Sequence, residues 1–284
     1  ALLMVALVFP FRSHANRQRL VRWWSRRVMK VCHVRVLVTG PSSESDSAPI
    51  IEQALRPGGI GAMLVMNHVS WLDIFIIHAM RPAHFVAKAE IARWPILGYL
   101  TDRTGAVFIE RGKRHAVREA NHKVATMLAE GELVGMFPEG AVSDGNRLLP
   151  FHGNLIQPAI DTGAPVIVAG IRYRDADGGP TTAALYVGEI NMLQSIVRIV
   201  RQGPIVAEVQ LIEAIDGTGK TRHQLARAAR ALIADALDFD DEAHEAAEGI
   251  STVIVVPDDQ RVSPEAALAG KALETLLDPR DELL

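Results

Sequence analysis

The sequence predicts an α/β fold: a mixed, largely parallel sheet covered by helices, preceded by a membrane-associated helical segment. Three observations lead there. Short apolar runs such as "GAMLVM", "ELVGMF" and "APVIVAGIRY" alternate with longer helical ones, the order that builds parallel sheets. Several of these runs are apolar without interruption, as strands covered on both faces must be. Finally, residues 1–43 carry eight Lys or Arg and no Asp or Glu, a bias unlike the rest of the chain.

With 284 residues and 49% hydrophobic content, the chain can bury a large core. Charge divides it into three parts: an apolar and basic anchoring segment (1–43), a globular domain (44–237) and an extension (238–284) with 13 acidic and three basic residues. The formal net charge of -3 conceals this asymmetry. The single cysteine, Cys32, excludes an internal disulfide framework and favours a reducing, cytosolic setting.

The chain opens with "ALLMVALVFPF", about half the roughly 20 apolar residues of a spanning helix. Next, "RSHANRQRLVRWWSRRVMKVCHVR" at helical periodicity places Leu20, Trp24, Val28 and Val31 on one face and Arg19, Arg22, Arg26 and Lys30 opposite. A basic amphipathic helix with a Trp pair fits an interfacial anchor on an anionic bilayer. A packed surface helix with a solvated basic face is the competing reading. No base-stacking or groove-reading motif follows, so nucleic acid is not expected as a partner.

"HVRVLVTG" alternates as a strand does, and "PSSESDSAP" reads as a polar loop. "GAMLVM", "DIFIIHAM", "AHFVAK", "WPILGYL" and "GAVFIE" continue the strand and helix alternation. A helix from Arg114 to Glu130 ends at Gly131, and "ELVGMF", "APVIVAGIRY", "AALYVGEI" and "IVAEVQLIEAI" supply further strands. "TRHQLARAARALIADAL" is a helix with Thr221 as N-cap. Beyond it, "STVIVVP" reads as one more strand and "SPEAALAGKALETLL" as a helix with Pro at its first position.

The candidate chemistry lies in "NHVSWLD", residues 67–73. Ser70 followed three residues later by Asp73 is a capping-box pattern. Positions five apart diverge by about 140° on a helix, so His68 and Asp73 meet only if His68 precedes the helix. A helix starting at Ser70 aims Asp73 back toward His68. The carboxylate then fixes the imidazole tautomer and leaves the other nitrogen as a general base. No G-x-S-x-G elbow occurs, and a base without a protein nucleophile suits direct transfer to a substrate hydroxyl.

These residues resemble the first motif, Asn-His-x4-Asp, of the glycerophospholipid acyltransferase family, which includes 1-acylglycerol-3-phosphate acyltransferase. Further matches follow in family order. "FVAKAEIARWPILGYL" is similar to the segment after the first motif, with Lys88, Glu90, Trp94, Pro95 and Gly98 in place. "GAVFIERGKR" resembles the second motif, "FPEG" (137–140) the core of the third and "APVIVAGIRY" the fourth.

The resemblance implies a glycerol-3-phosphate acyltransferase-like fold, with His68 and Asp73 as the catalytic pair. It also implies substrate contacts from Asn67, Arg111, Phe137, Pro138, Glu139, Gly140 and Ser143, with Arg111 on the acceptor headgroup, and an apolar acyl site along the fourth motif. Two departures bear on the acceptor. Ala141 and Val142 precede Ser143 where the family often has Thr-Arg-Ser, and "SDG" and "LLPFHGNL" look more like a bacterial subgroup that acts on lyso-ornithine lipid. Glu110 also stands where Asp is common, and Val168 and Ala169 where a proline often lies.

Two other patterns carry no function. "DGTGKT" (216–221) has Ala214 where a P-loop requires Gly. The remaining histidines, including His14, His33, His78 and His84, are scattered, none in H-E-x-x-H. No metal or cofactor is expected.

The expected activity is therefore transfer of a fatty acyl group from acyl-CoA or acyl carrier protein to a lysolipid hydroxyl. The first expectation is 1-acylglycerol-3-phosphate as acceptor, giving phosphatidic acid in phospholipid biosynthesis. Lyso-ornithine lipid is the alternative acceptor. A non-catalytic lipid-binding protein and a hydrolase are the competing classes. The expected place is the cytoplasmic face of the cell inner membrane.

Overall fold

The computed structural model describes residues 12–93, 97–110 and 114–239. The expected apolar opening segment and the acidic extension with its strand and helix lie outside these residues, apart from its first two positions.

In chain order the elements are α1 (His14–Val31), β1 (Val34–Thr39), α2 (Ser47–Leu55), β2 (Ala62–Met66), α3 (Leu72–Met80) and β3 (His84–Lys88). Then come α4 (Leu97–Arg103), β4 (Val107–Ile109), α5 (Arg114–Ala129), β5 (Leu133–Met136) and α6 (Gln157–Thr162). The last are β6 (Val166–Arg174), α7 (Met192–Gln202), β7 (Ile205–Ile215) and α8 (Arg222–Ala236). The strands form one seven-stranded sheet in the order β1-β7-β6-β2-β5-β3-β4. Every neighbouring pair is parallel except β6 and β7. The mixed, largely parallel α/β fold expected from the alternation is the one observed.

Strand alternation sorts the core into two layers. Ala62, Leu64 and Met66 of β2 face the layer holding Met29, Ile51, Leu72, Ile76 and Ile199, whereas Met63 and Val65 face Val124, Leu128, Ala159, Leu225 and Ile233. Thus α1, α2, α3 and α7 cover one face, and α5, α6 and α8 the other. β2 is buried along its whole length, which explains its uninterrupted apolar sequence.

Two expectations are corrected. "AALYVGEI" (183–190) forms no strand. β6, the strand it follows, already has a partner on each side and offers it no ladder. The segment instead closes a turn from Leu185 N to Thr182 O, and Arg198 holds the carbonyls of Ala183 and Leu185. Conversely, the end of the polar-looking "PSSESDSAP" starts α2 at Ser47. Ser47 Oγ accepts from Ala214 N at 3.1 Å, a partner far along the chain. The P-loop-like segment is an ordinary turn into a helix capped by the Thr221–Gln224 box.

Residues 14–39, assigned by charge to the anchor, give this sheet a helix and an edge strand. Ser25 and Met29 of α1 are buried, and Val28 of the predicted apolar stripe packs against the core. Arg22 and Arg26, on the predicted basic face, both donate to Ala79 O at the end of α3. There they complement the negative end of the helix dipole. Trp23 and Val31 remain exposed, with Arg27 over the Trp23 ring. No helix among the described residues is long and apolar enough to cross a membrane.

His78, in the last turn of α3, is buried and sits edge-on to Phe85. Desolvation, reinforced by His84, lowers its pKa from 6.5 to about 3. Between those values the unfolded chain binds a proton that the folded chain does not, so stability falls as pH falls. The loss is about 1.4 kcal/mol per pH unit within this window. Urea midpoints measured from pH 6.5 to 4.5 should show this slope. It should flatten in His78→Gln, and an unaltered slope in that variant would refute the assignment.

Candidate active site

Three adjacent strands, β6, β2 and β5, end at one place, the carboxyl edge where α/β sheets present their sites. β2 leads into Asn67 and His68, β5 into Phe137 to Gly140, and the last residues of β6 include Tyr173. The chain leaves β2 as a loop, so His68 lies outside α3 while Asp73 occupies its first turn. The helix starts at Leu72, with Trp71 as N-cap, one residue later than the Ser70 cap the sequence suggests. Ser70 Oγ accepts from Leu72 N at 3.3 Å, and Asp73 Oδ2 accepts from Ser70 N at 2.9 Å. The second bond is the carboxylate half of the expected capping box, while the Ser70 hydroxyl meets Leu72 N in place of Asp73 N.

His68 Nδ1 lies 2.8 Å from Asp73 Oδ2. The same oxygen accepts the N–H groups of Val69 at 2.8 Å and Ser70 at 2.9 Å, and Asp73 Oδ1 accepts the Tyr173 hydroxyl at 2.5 Å. With donors on both oxygens, the carboxyl is an acceptor-only group. Nδ1 is therefore the donor, and in the neutral imidazole the lone pair lies on Nε2. The Asp73 side chain is fully buried and that of His68 is 17% exposed, so the imidazole meets the surface while the carboxylate does not.

The imidazole is further held by stacking, and the backbone of residue 68 by hydrogen bonds. Phe137 stacks on it with centroids 4.0 Å apart and planes 12° apart, and Phe85 stacks on Phe137 at 5.6 Å. Glu139 Oε1 accepts His68 N at 2.7 Å, while Oε2 accepts Leu149 N at 2.9 Å. Burial raises the Glu139 carboxyl above the usual range, and its two N–H partners work in the opposite direction. The backbone and hydroxyl of Ser143 both donate to His68 O, at 2.7 and 3.2 Å. Gly140, at φ +69°, closes the turn in which its N–H donates to Phe137 O. That left-handed conformation favours glycine.

Of the residues expected to contact substrate, Asn67 is fully buried, and its amide exchanges two bonds with the Ile171 backbone. It acts as an extra rung between β2 and β6. Phe137, Glu139, Gly140 and Ser143 converge on His68, and Pro138 is buried beneath that turn, its carbonyl accepting from His152 N. Arg111 lies outside the described residues, as do Trp94 and Pro95.

Tyr173 was not singled out by the sequence. Its signal is the phase of β6: Ile167, Ala169, Ile171 and Tyr173 share one buried face, and only the last carries a hydroxyl. Burial, with the Asp73 charge and hydrogen bond, holds its ionisation well above the usual phenol range, so it remains a donor. Tyr173→Phe removes one bond from a buried carboxylate. It should cost about 1–3 kcal/mol of stability and about tenfold in kcat, equivalent to 1.4 kcal/mol of lost orientation. KM should change little; a fall in stability with unchanged kcat would show that Tyr173 supports only the fold.

These features define a class of protein: an α/β fold that presents a carboxylate-held histidine at its strand ends. Its one cysteine, Cys32, is buried at the end of α1 with its thiol pushed up by desolvation, and so is poorly suited as a nucleophile. The acyltransferase family model matches residues 13–172, and the chain belongs to that acyltransferase family. It is 35% identical over 221 residues to a lyso-ornithine lipid O-acyltransferase of Pseudomonas aeruginosa, covering 78% of this chain and 79% of that protein. It is 36% identical over 229 residues to a 1-acyl-sn-glycerol-3-phosphate acyltransferase of Neisseria meningitidis, covering 79% and 84%. The crystal structure of the 1-acyl-sn-glycerophosphate acyltransferase of Thermotoga maritima shares the fold, with a TM-score of 0.58 at 19% identity over 83% and 86% of the two chains. The protein is thus a lysophospholipid-type O-acyltransferase.

Proposed function

We propose that His68 is the general base of acyl transfer from an acyl-CoA or acyl carrier protein thioester to the hydroxyl of a lysolipid. The observation that carries this reading is the His68–Asp73 contact at 2.8 Å, which commits Nδ1 to the carboxylate and turns Nε2 away from it. The acceptor hydroxyl gives its proton to Nε2 as its oxygen attacks the thioester carbonyl. The tetrahedral oxyanion collapses, the C–S bond breaks, and the imidazolium returns the proton to the departing thiolate. Products are an ester and a free thiol. Asp73 stabilises the imidazolium, which forms only during reaction, so its charge acts on the transition state.

The acceptor proposed first is 1-acylglycerol-3-phosphate, with Arg111 as the headgroup contact. Lyso-ornithine lipid is the second reading, favoured by Ala141 and Val142 where the family often has Thr-Arg and by the similarity to the Pseudomonas protein. Incubation with each thioester and a panel of lysolipids, read by product mass, decides between them. Fatty acid release without any acceptor would identify a hydrolase instead, and no turnover of any thioester a lipid-binding protein.

The proposed place of action is the cytoplasmic face of the inner membrane, where both lysolipid and product partition. Because α1 packs into the fold, its deletion would confound binding with unfolding. Exposed positions give the cleaner test. Trp23→Ser with Arg27→Glu should weaken sedimentation with anionic vesicles severalfold at unchanged thermal stability, since each lost cation near an anionic surface removes about 1 kcal/mol. Unchanged sedimentation would argue against contact through α1.

A further inference from the structure

At the opposite end of the sheet from His68, three potential metal ligands converge from distant parts of the chain. His14 opens α1, His84 opens β3, and Glu132 immediately precedes β5. One ligand atom from each lies within 4.8 Å of the other two. His14 Nδ1 is 3.5 Å from Glu132 Oε1, and His84 Nε2 is 3.5 Å from Glu132 Oε2. A good charge-assisted hydrogen bond would bring such atoms to about 2.7–2.9 Å. A tetrahedral ion with bonds of about 2.0–2.1 Å separates its ligand atoms by roughly 3.3–3.4 Å. The observed spacings are closer to the second case.

The surroundings have the form of an outer shell. His84 Nδ1 lies 2.9 Å from Gly105 O. A proton on Nδ1 donated to that carbonyl leaves Nε2 free toward Glu132, the usual arrangement of a ligating histidine. Gly105 is required there: it adopts φ +79°, and a Cβ would come within 2.5 Å of His84 Nδ1. Gln18 Nε2 donates to Glu132 Oε2 at 2.9 Å, orienting the carboxylate. The His14 side chain is 59% exposed, which leaves access from solvent, while Glu132 is only 15% exposed. Arg81 donates to Gly131 O beside the cluster, and its charge opposes a cation and weakens the affinity.

We infer that His14, His84 and Glu132 bind a divalent transition-metal ion, with zinc the best fit to a His2Glu set. The site is structural. It lies across the short strand β5, roughly 13 Å long, from the residues that hold His68, and it ties the first residue of α1 to the amino ends of β3 and β5. His14 is 70 positions from His84 and 118 from Glu132 by their numbering, so no local motif could signal it.

The test uses untagged, chelator-treated full-length protein titrated with Co2+ and then Zn2+. One equivalent of Co2+ should give the intense visible bands of four-coordinate geometry. Zn2+ should displace it and raise the melting temperature. His14→Ala, at an exposed position, should weaken binding at least tenfold and abolish the thermal shift, as should Glu132→Gln, while His33→Ala should change neither. Absence of saturable binding by the wild type would overturn the site. So would binding that survives both His14→Ala and Glu132→Gln.

Discussion

Replacing His68 by alanine is expected to reduce acyl transfer by about 100- to 10,000-fold, the typical contribution of a positioned general base, while the protein remains folded. The separation follows from the geometry. Asp73 would keep the Val69 and Ser70 N–H groups and the Tyr173 hydroxyl, so no buried charge is stranded. The Glu139 and Ser143 bonds involve the backbone of residue 68 and survive the change. Stability should fall by only about 1 kcal/mol for the lost bond to Asp73, with a further contribution from the stacking on Phe137. Turnover with each thioester, beside a urea melt, gives both quantities. Near-normal turnover in the folded variant would exclude the proposed base. Loss of activity in step with loss of fold would leave His68 a structural residue.

The contact between His68 and Asp73 was legible because its determinants are local. A His and an Asp five positions apart cannot meet on one helix, so the spacing required a helix start between them, and the apolar "IFII" after Asp73 supplied it. The strands were legible wherever burial on both faces imposed a continuous apolar run, as in β2. The failures share a physical cause. "AALYVGEI" has strand composition, but strands are made by partners, and β6 had none to spare. Arg22 and Arg26 read as a bilayer-facing or solvated basic face, without a protein acceptor, because that acceptor, Ala79 O, is more than 50 positions away. Tyr173 escaped for the same reason, as did the partner of Asn67: Tyr173 meets Asp73 across 100 positions and Asn67 meets Ile171 across 104. Local patterns identified the His68–Asp73 pair, whereas residues that immobilise it come from distant strands.

Asp73→Asn separates the orienting role of this residue from its charge. The two ends of an amide are not equivalent in this pocket. At the Oδ2 position three donors converge, from His68, Val69 and Ser70, so the amide oxygen must sit there and the NH2 must take the place of Oδ1. The NH2 then faces Tyr173. That contact can be accommodated by reversal: the amide donates to the phenol oxygen, and the phenol hydroxyl turns to Ser70, its other hydrogen-bond partner. The His68 tautomer is therefore preserved, unlike the case in which an Asn inverts the imidazole, and stability should fall by only about 1–2 kcal/mol. What is lost is the anion facing the imidazolium in the transition state. We expect kcat to fall about 1,000-fold, equivalent to roughly 4 kcal/mol, with KM little changed. Asp73→Ala, by contrast, strands two backbone N–H groups, leaves the buried Tyr173 hydroxyl only Ser70, and should cost about 3–5 kcal/mol of stability as well. An Asn variant that turns over at near wild-type rates would mean that orientation alone suffices, and that the carboxylate's charge contributes to the fold and not to the reaction.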